Sequence, residues 1–171
     1  MKAYLIYGVG GHARVVADAV RAAGGDIAAF IDDHAATAAL EQVPVVNHIP
    51  SALAALPLVI GIGNNMVRRR LAEALDVAPG TVVHPAAVVA RDVILGEGTV
   101  VLANAVIQAG ARIGRHVIVN ANVCIDHDAV IEDYAHLYPG CYVGGGSTVK
   151  AGLTLGPSTV IPRNMLVEAD R

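Results

Sequence analysis

Between residues 81 and 170 every sixth residue is Val, Ile or Leu, without exception, from Val83 to Val167. Cut into sixes, the segment begins TVVHPA, AVVARD, VILGEG and ends TVIPRN, MLVEAD, fifteen hexads in one unbroken register. A helix repeats every 3.6 residues and a strand every two, so neither alone gives this period. A chain that turns a corner after each short strand does. The register therefore predicts a parallel β-helix of triangular coils, three hexads to a coil and about five coils in all.

Strand side chains alternate in direction, so an inward third position makes the first inward and the second outward. First positions are mostly Ala, Val, Thr, Cys or Ser, as a crowded inner corner requires, and charged side chains gather at positions four to six. Arg112 is the only charge at an outward second position. The others are largely apolar, among them Val82, Val88, Ile94, Val100, Ile118, Cys124, Val160 and Leu166. Outward aliphatic stripes need a cover, from another subunit or from the rest of the chain. Three prisms side by side would provide it, and a homotrimer is expected.

The first 80 residues keep a different rhythm. Ala3–Tyr7 reads as a buried strand ending in Gly8-Val9-Gly10-Gly11-His12. A helical pattern follows through Val15, Val16, Ala19, Val20 and Ala23 until Gly24-Gly25. Ile27–Ile31 is a second strand, closed by Asp32-Asp33. After a polar, Ala-rich connection and the apolar run Pro44-Val45-Val46, Pro50-Ser51 open a short helix. Leu58–Ile60 is a third strand, followed by a basic amphipathic helix, Met66–Leu75, with Arg68, Arg69 and Arg70. This order predicts an α/β half-Rossmann unit, a βαβαβ parallel sheet. Ala78-Pro79-Gly80 ends it, which divides the chain into domains 1–80 and 81–171.

Composition excludes several functions. A hydrophobic fraction of 54% would suit a membrane protein, yet Asn104 and Gln108 interrupt the longest apolar stretches. These fall far short of the ~18 residues of a spanning helix. A net charge of -3 gives no general attraction to nucleic acid or anionic membrane. The opening MKAYLIYGVGGH reaches glycine too soon for a signal peptide, so a cytoplasmic protein is expected. Cys124 and Cys141 match no metal or redox spacing and read as buried or interfacial thiols.

Three stacked histidines in a β-helix would suit zinc, but His116, His127 and His136 are separated by 11 and 9 residues, which stacks none of them. No metal is expected. His127 lies on a turn between Asp126 and Asp128, where a carboxylate can hold one imidazole tautomer and raise its basicity. That suits a general base; a solvated polar turn is the plainer alternative. His136 takes an outward position half a coil from His127, on the other side of the triangle. The two can share a site only across a subunit interface.

Gly8-Val9-Gly10-Gly11-His12-Ala13 fits the loose form G-x-G-x-x-A between a strand and a helix, with Asp32 placed 24 residues after Gly8. Glycines there let a phosphate approach N–H groups at a helix N-terminus. Some 80 residues hold half a dinucleotide fold, enough for one nucleotide or a nucleotide-sugar. A tight turn without a ligand remains the alternative.

Taken together, YGVGGHARVVADAV, FIDD, IGIGNNMVRRRL, HPAAVVA and VIQAGARIGRHVIVNANVCIDHDAVIEDYAHLYPG resemble the bacterial sugar acetyltransferases of the NeuD/PglD type across roughly residues 4–160. The resemblance implies that the hexapeptide β-helix is left-handed, a sense the spacing does not give. It implies acetyl-CoA as co-substrate, no metal, and acetyl transfer to the 4-amino group of a nucleotide-linked 4-amino-4,6-dideoxy sugar. His127 would be the catalytic base, with Asp128 raising its basicity. His136 and Gly145 would contact acetyl-CoA. Gly10, Gly11, His12, Asp32 and Asp33 would hold the nucleotide-sugar, with Gly63 and Asn120 carried over less directly. Members usually continue with another coil or so. The ending Pro162–Arg171 suggests a loosely held coenzyme or a trimeric binding scaffold without activity. A sugar O-acetyltransferase would use the same base, and its ester product would yield to mild alkali.

Overall fold

The computed structural model describes residues 2–169. Asp170, the end of the last hexad, and Arg171 lie outside them. The N-terminal unit is built from β1 (Ala3–Tyr7), α1 (Gly11–Ala22), β2 (Asp26–Ile31), β3 (Ala39–Leu40), β4 (Val43–Val46), a 3-10 turn at Ser51–Leu53, β5 (Leu58–Ile60) and α2 (Asn65–Ala74). Its sheet runs β3-β4-β2-β1-β5, parallel except for the β3–β4 pair. The sheet is the half-Rossmann unit expected, with two additions. Residues 44–46, to which the sequence assigns no element, belong to a strand, β4, which pairs in parallel with β2 through Phe30–Val45 and Ile31–Val46. Pro44 obscured it; Pro is tolerated there because β4 is partnered beyond only by the short β3. The helix opened by Pro50 is a single 3-10 turn.

The two faces of this sheet bury different partners because successive strand residues point opposite ways. Ile6, Phe30 and Val59 pack with Ala13, Val16, Ala17 and Val20 of α1. Leu5, Tyr7, Ile31 and Ile60 face Leu71 and Ala72 of α2 and Leu75, which caps it. Gly61, which follows β5, admits α1 closely: a Cβ there would lie 2.8 Å from the Ala13 Cα.

Every hexad supplies one two-residue strand, from Val82–Val83 to Leu166–Val167, and strands 18 residues apart pair in parallel, Val106 with Cys124 and Ile107 with Ile125. The result is three five-stranded sheets, hence five coils. First and third positions form a continuous core from Val101 and Ala105 through Cys141, Val143 and Val149, almost all fully buried. Burial of this kind stabilises by about 25 cal/mol per Å² of apolar surface.

The corners have a signature of their own. From Gly98 to Asn164 every sixth hexad position has positive φ, including Asn104, Asn122, Asp128 and Gly110. Asn, Asp and Gly tolerate that left-handed backbone best, which explains their frequency there. Tyr134 and His116 occupy it too, and their rings stack at 5.4 Å between successive coils.

One of the three faces, Val82–Val83, Val100–Val101, Ile118–Val119, His136–Leu137 and Thr154–Leu155, is covered by the chain's own N-terminal unit. Val82, Val100 and Ile118 are buried, and the first two share a core with α1. The other two faces stay open: Val88 and Val160 on one and Ile94 and Leu166 on the next are all more than half exposed.

Candidate functional site

The corner that follows Cys124–Ile125 carries Asp126, His127 and Asp128. It joins the two open faces, and so stands opposite the covered one. Asp128 takes a left-handed backbone with φ 59°, and its carboxylate turns back on its neighbour. His127 Nδ1 lies 2.8 Å from Asp128 Oδ2. Asp126 Oδ1 accepts the His127 backbone N–H at 2.8 Å, and the Tyr142 hydroxyl donates to Asp126 Oδ2 at 3.1 Å. The His127 N–H and then the Tyr142 hydroxyl hold the Asp126 carboxyl below its ordinary range.

The other ring nitrogen points along the stack of corners. Gly145 sits one coil beyond His127, and a Cβ there would lie 2.7 Å from His127 Nε2. Only a glycine leaves that nitrogen free. Through the gap, Arg163 Nη2 donates to Nε2 at 3.3 Å. Asp128 accepting at Nδ1 and Arg163 donating at Nε2 define one neutral tautomer, with its lone pair on Nε2. His127 and Asp128 side chains are 43% and 70% exposed, so a lone subunit leaves this dyad on open surface.

A second cluster lies against the covered face. Gly8–His12, Asp32–Asp33 and Gly61–Asn64 follow β1, β2 and β5, at the carboxyl ends of parallel strands where such sheets bind ligands. Gly10 caps α1 without a side-chain hydrogen bond, and a Cβ at Gly10 or Gly11 would meet nothing within 4 Å. The first N–H groups of α1 are therefore open to an anion. Burial, and then the adjacent Asp33 and Asp32 carboxylates, push the Tyr7 phenol up. A cleft of about 470 Å³ adjoins Asp32, lined also by Thr37, Asn47 and His48.

His136 projects from the covered face into this cluster. Its Nδ1 lies 3.1 Å from the Gly63 carbonyl, its Nε2 3.4 Å from Asn120 Nδ2, and its ring 5.9 Å from that of His12. Burial pulls both imidazoles down to about 4, so both are neutral at physiological pH. His12 Nε2 is buried with no hydrogen-bond partner among the described residues. Thus Gly10, Gly11, His12, Gly63, Asn120 and His136 gather on one side, with Asp32 and Asp33 on the same rim. His127, Asp128 and Gly145 stand at the far corner. With ~3.3 Å per residue along a coil side, the separation is on the order of 15 Å.

Two residues escaped the sequence reading. Arg68, which the sequence groups with Arg69 and Arg70 on a basic amphipathic helix, is 1% exposed and donates to carbonyls of both parts of the chain. Asn65 donates to the Gly152 and Leu153 carbonyls and accepts from Arg68. The run GNNMVRRRL held the signal, because Arg68 lies on the same helical face as Leu71, Ala72 and Leu75. No group of three or more His, Cys, Asp or Glu that could hold a metal occurs among the described residues. Nor, among the described residues, is any helix long and apolar enough to cross a membrane.

A glycine-looped parallel sheet set against a hexapeptide β-helix, with a paired His–Asp at a coil corner, defines an acyltransferase architecture. Residues 4–75 match the PglD N-terminal domain. UDP-N-acetylbacillosamine N-acetyltransferase of Bacillus subtilis is 36% identical over 107 residues, 57% of this chain. The match spans about half the length of that curated relative, 50%. A histidine-to-asparagine variant of perosamine N-acetyltransferase from Caulobacter crescentus, solved with CoA and GDP-perosamine, superposes with TM-score 0.78 at 31% identity, over 99% of this chain and 90% of that one. The acetyltransferase domain of PglB from Neisseria gonorrhoeae, solved with acetyl coenzyme A, gives TM-score 0.79 at 30% identity, over 96% and 95%. The chain belongs to the NeuD/PglD-type sugar acetyltransferases.

Proposed function

We propose that this protein is a cytoplasmic enzyme that transfers acetyl from acetyl-CoA to the 4-amino group of a nucleotide-linked 4-amino-4,6-dideoxy sugar. Residues 1–80 hold the nucleotide-sugar, and residues 81–171 carry the chemistry. The observation that carries the reading is the His127–Asp128 pair, Nδ1 at 2.8 Å from the carboxylate and Nε2 aimed across Gly145.

His127 Nε2 takes a proton from the sugar amine as the nitrogen attacks the thioester carbonyl. Asp128 holds the Nδ1 proton and stabilises the imidazolium that forms. The tetrahedral intermediate then collapses, the C–S bond breaks, and the thiolate recovers the proton carried by His127. The space left by Gly145 fits an acetyl thioester beside Nε2, and its backbone N–H is the candidate donor to the oxyanion. Arg163 must leave Nε2 when the amine arrives, because one lone pair accepts one strong hydrogen bond. General-base help of this kind supplies about 10²–10⁴-fold, and positioning much of the rest.

The sugar-binding rim and the base lie on opposite sides of one coil, so a productive site takes its rim from one subunit and His127 from a neighbour. A homotrimer with three such clefts satisfies this and covers the open faces with Val88, Val160, Ile94 and Leu166. His136, turned toward Gly63 rather than His127, then meets the coenzyme from the rim side. The cleft beside Asp32 is the place for the nucleoside, with Asn47 and His48 as its polar lining.

The test is acetyl-CoA-dependent thiol release with a panel of UDP-, GDP- and dTDP-linked 4-amino sugars. One member should release thiol and yield an alkali-stable amide. Nucleotide-sugar binding without acetyl-CoA binding or turnover would instead mark a scaffold.

A further inference from the structure

Arg68 is the largest fully buried side chain among the described residues, and no step of acetyl transfer uses it. Its Nε donates to the His116 carbonyl at 2.8 Å, and its Nη2 to Asn65 Oδ1 and the Tyr134 carbonyl, both at 2.8 Å. Nη1 donates to two successive carbonyls, Ile62 at 3.1 Å and Gly63 at 3.2 Å. None of these partners is a carboxylate. A buried guanidinium held wholly by backbone and amide oxygens is costly to place and strongly destabilising to disturb.

The last two bonds have a consequence on the opposite side of the loop. No peptide bond among the described residues is cis, and in a trans peptide the carbonyl and the next N–H point in opposite directions. Drawing the Ile62 and Gly63 carbonyls toward Nη1 therefore turns the Gly63 and Asn64 N–H groups away from it, to the open side of the loop. Neither N–H reaches an acceptor among the described residues. Asn64 is exposed and Gly63 partly so. Gly8 ends β1 so close by that a Cβ on it would lie 2.7 Å from Ile62 Cδ1. Successive free N–H groups form an anion-binding concavity. The Gly63 carbonyl also accepts from His136 Nδ1 at 3.1 Å, which leaves His136 Nε2 as the acceptor facing Asn120.

We infer that Arg68 is a positioning residue for nucleotide-sugar binding: from beneath the rim it sets the Ile62–Asn64 peptides so that the Gly63 and Asn64 N–H groups face the diphosphate of the substrate. This rests on the nucleotide-sugar reading of the rim. Arg68 itself touches no substrate.

Arg68→Lys keeps the charge but has too few donors to hold all these oxygens. Binding of UDP, GDP and dTDP is measured by calorimetry on wild type and variant, beside the KM for acetyl-CoA. The expected result is about tenfold or greater loss of affinity for whichever diphosphate the wild type binds, with the acetyl-CoA KM within about twofold. A merely structural Arg68 would weaken both together. Should Arg68→Lys fail to fold, amide NMR of the wild type decides, since the Gly63 and Asn64 N–H signals must move on adding the diphosphate. Unmoved amides, or a variant that binds like wild type, overturn the inference alone. A wild type that binds no nucleoside diphosphate overturns the nucleotide-sugar reading and the inference with it.

Discussion

His127 and Arg163 meet across a missing side chain: 36 residues apart in sequence, two coils apart in the stack, they come within 3.3 Å because Gly145 lies between them. The imidazole reaches past its neighbouring coil because that coil is bare at Gly145. Gly145→Ala should therefore displace the imidazole and cut kcat by about 10²-fold, the order that a 1 Å misplacement costs. Thermal unfolding should barely change, since the atoms a Cβ would meet belong to the His127 ring, whose side chain is 43% exposed and can swing aside. Steady-state kinetics beside a melting curve checks both.

Asp128→Asn separates charge from backbone. Asn accepts the left-handed φ of 59° as readily as Asp does, so the corner should fold unaltered. The amide cannot stabilise the imidazolium and can present N–H to Nδ1, favouring the wrong tautomer. A fall in kcat of about 10²-fold with KM for both substrates little changed is expected.

Acid should destabilise the packing of the N-terminal unit on the β-helix, where His12 meets His136. Both are pulled from 6.5 to about 4 in the folded chain, chiefly by burial. Between those values the unfolded chain binds more protons, so stability is fully present above about pH 6.5 and is lost as pH falls toward 4. Melting temperatures across that window should fall in the wild type and fall less in His136→Gln.

If the proposed site is divided between subunits, two inactive variants should complement each other. Gly11→Asp places a negative charge at the start of α1, which the helix dipole favours, while repelling a phosphate. His127→Ala removes the base from the other half. Each alone should be inactive, yet unfolding and reassembling the two together in equal amounts should restore about a quarter of wild-type activity, the share of sites drawing both intact halves. A site contained in one chain would give none.

Much of the β-helix was legible because its period is global: one column from Val83 to Val167 fixes inside, outside and coil length together. The cover on each outward face was not. Val82 and Ile94 read alike as outward aliphatics, yet Val82 lies under α1 and Ile94 is exposed. Periodicity describes a surface, not what comes to rest on it. For the same reason His136, read as an interface residue, meets His12 and Gly63 of its own chain. The Asp126-His127-Asp128 turn was visible as a cluster of charge, but its geometry depends on Gly145 one coil away, and Arg68 was hidden in a basic run by its two exposed neighbours.

Turnover by His127→Ala, with folding and assembly verified, decides whether this imidazole takes the amine proton. If it does, kcat falls by about 10²–10⁴-fold on the preferred amino sugar. A variant that acetylates as fast as the wild type would show that some other group, or none, is the base.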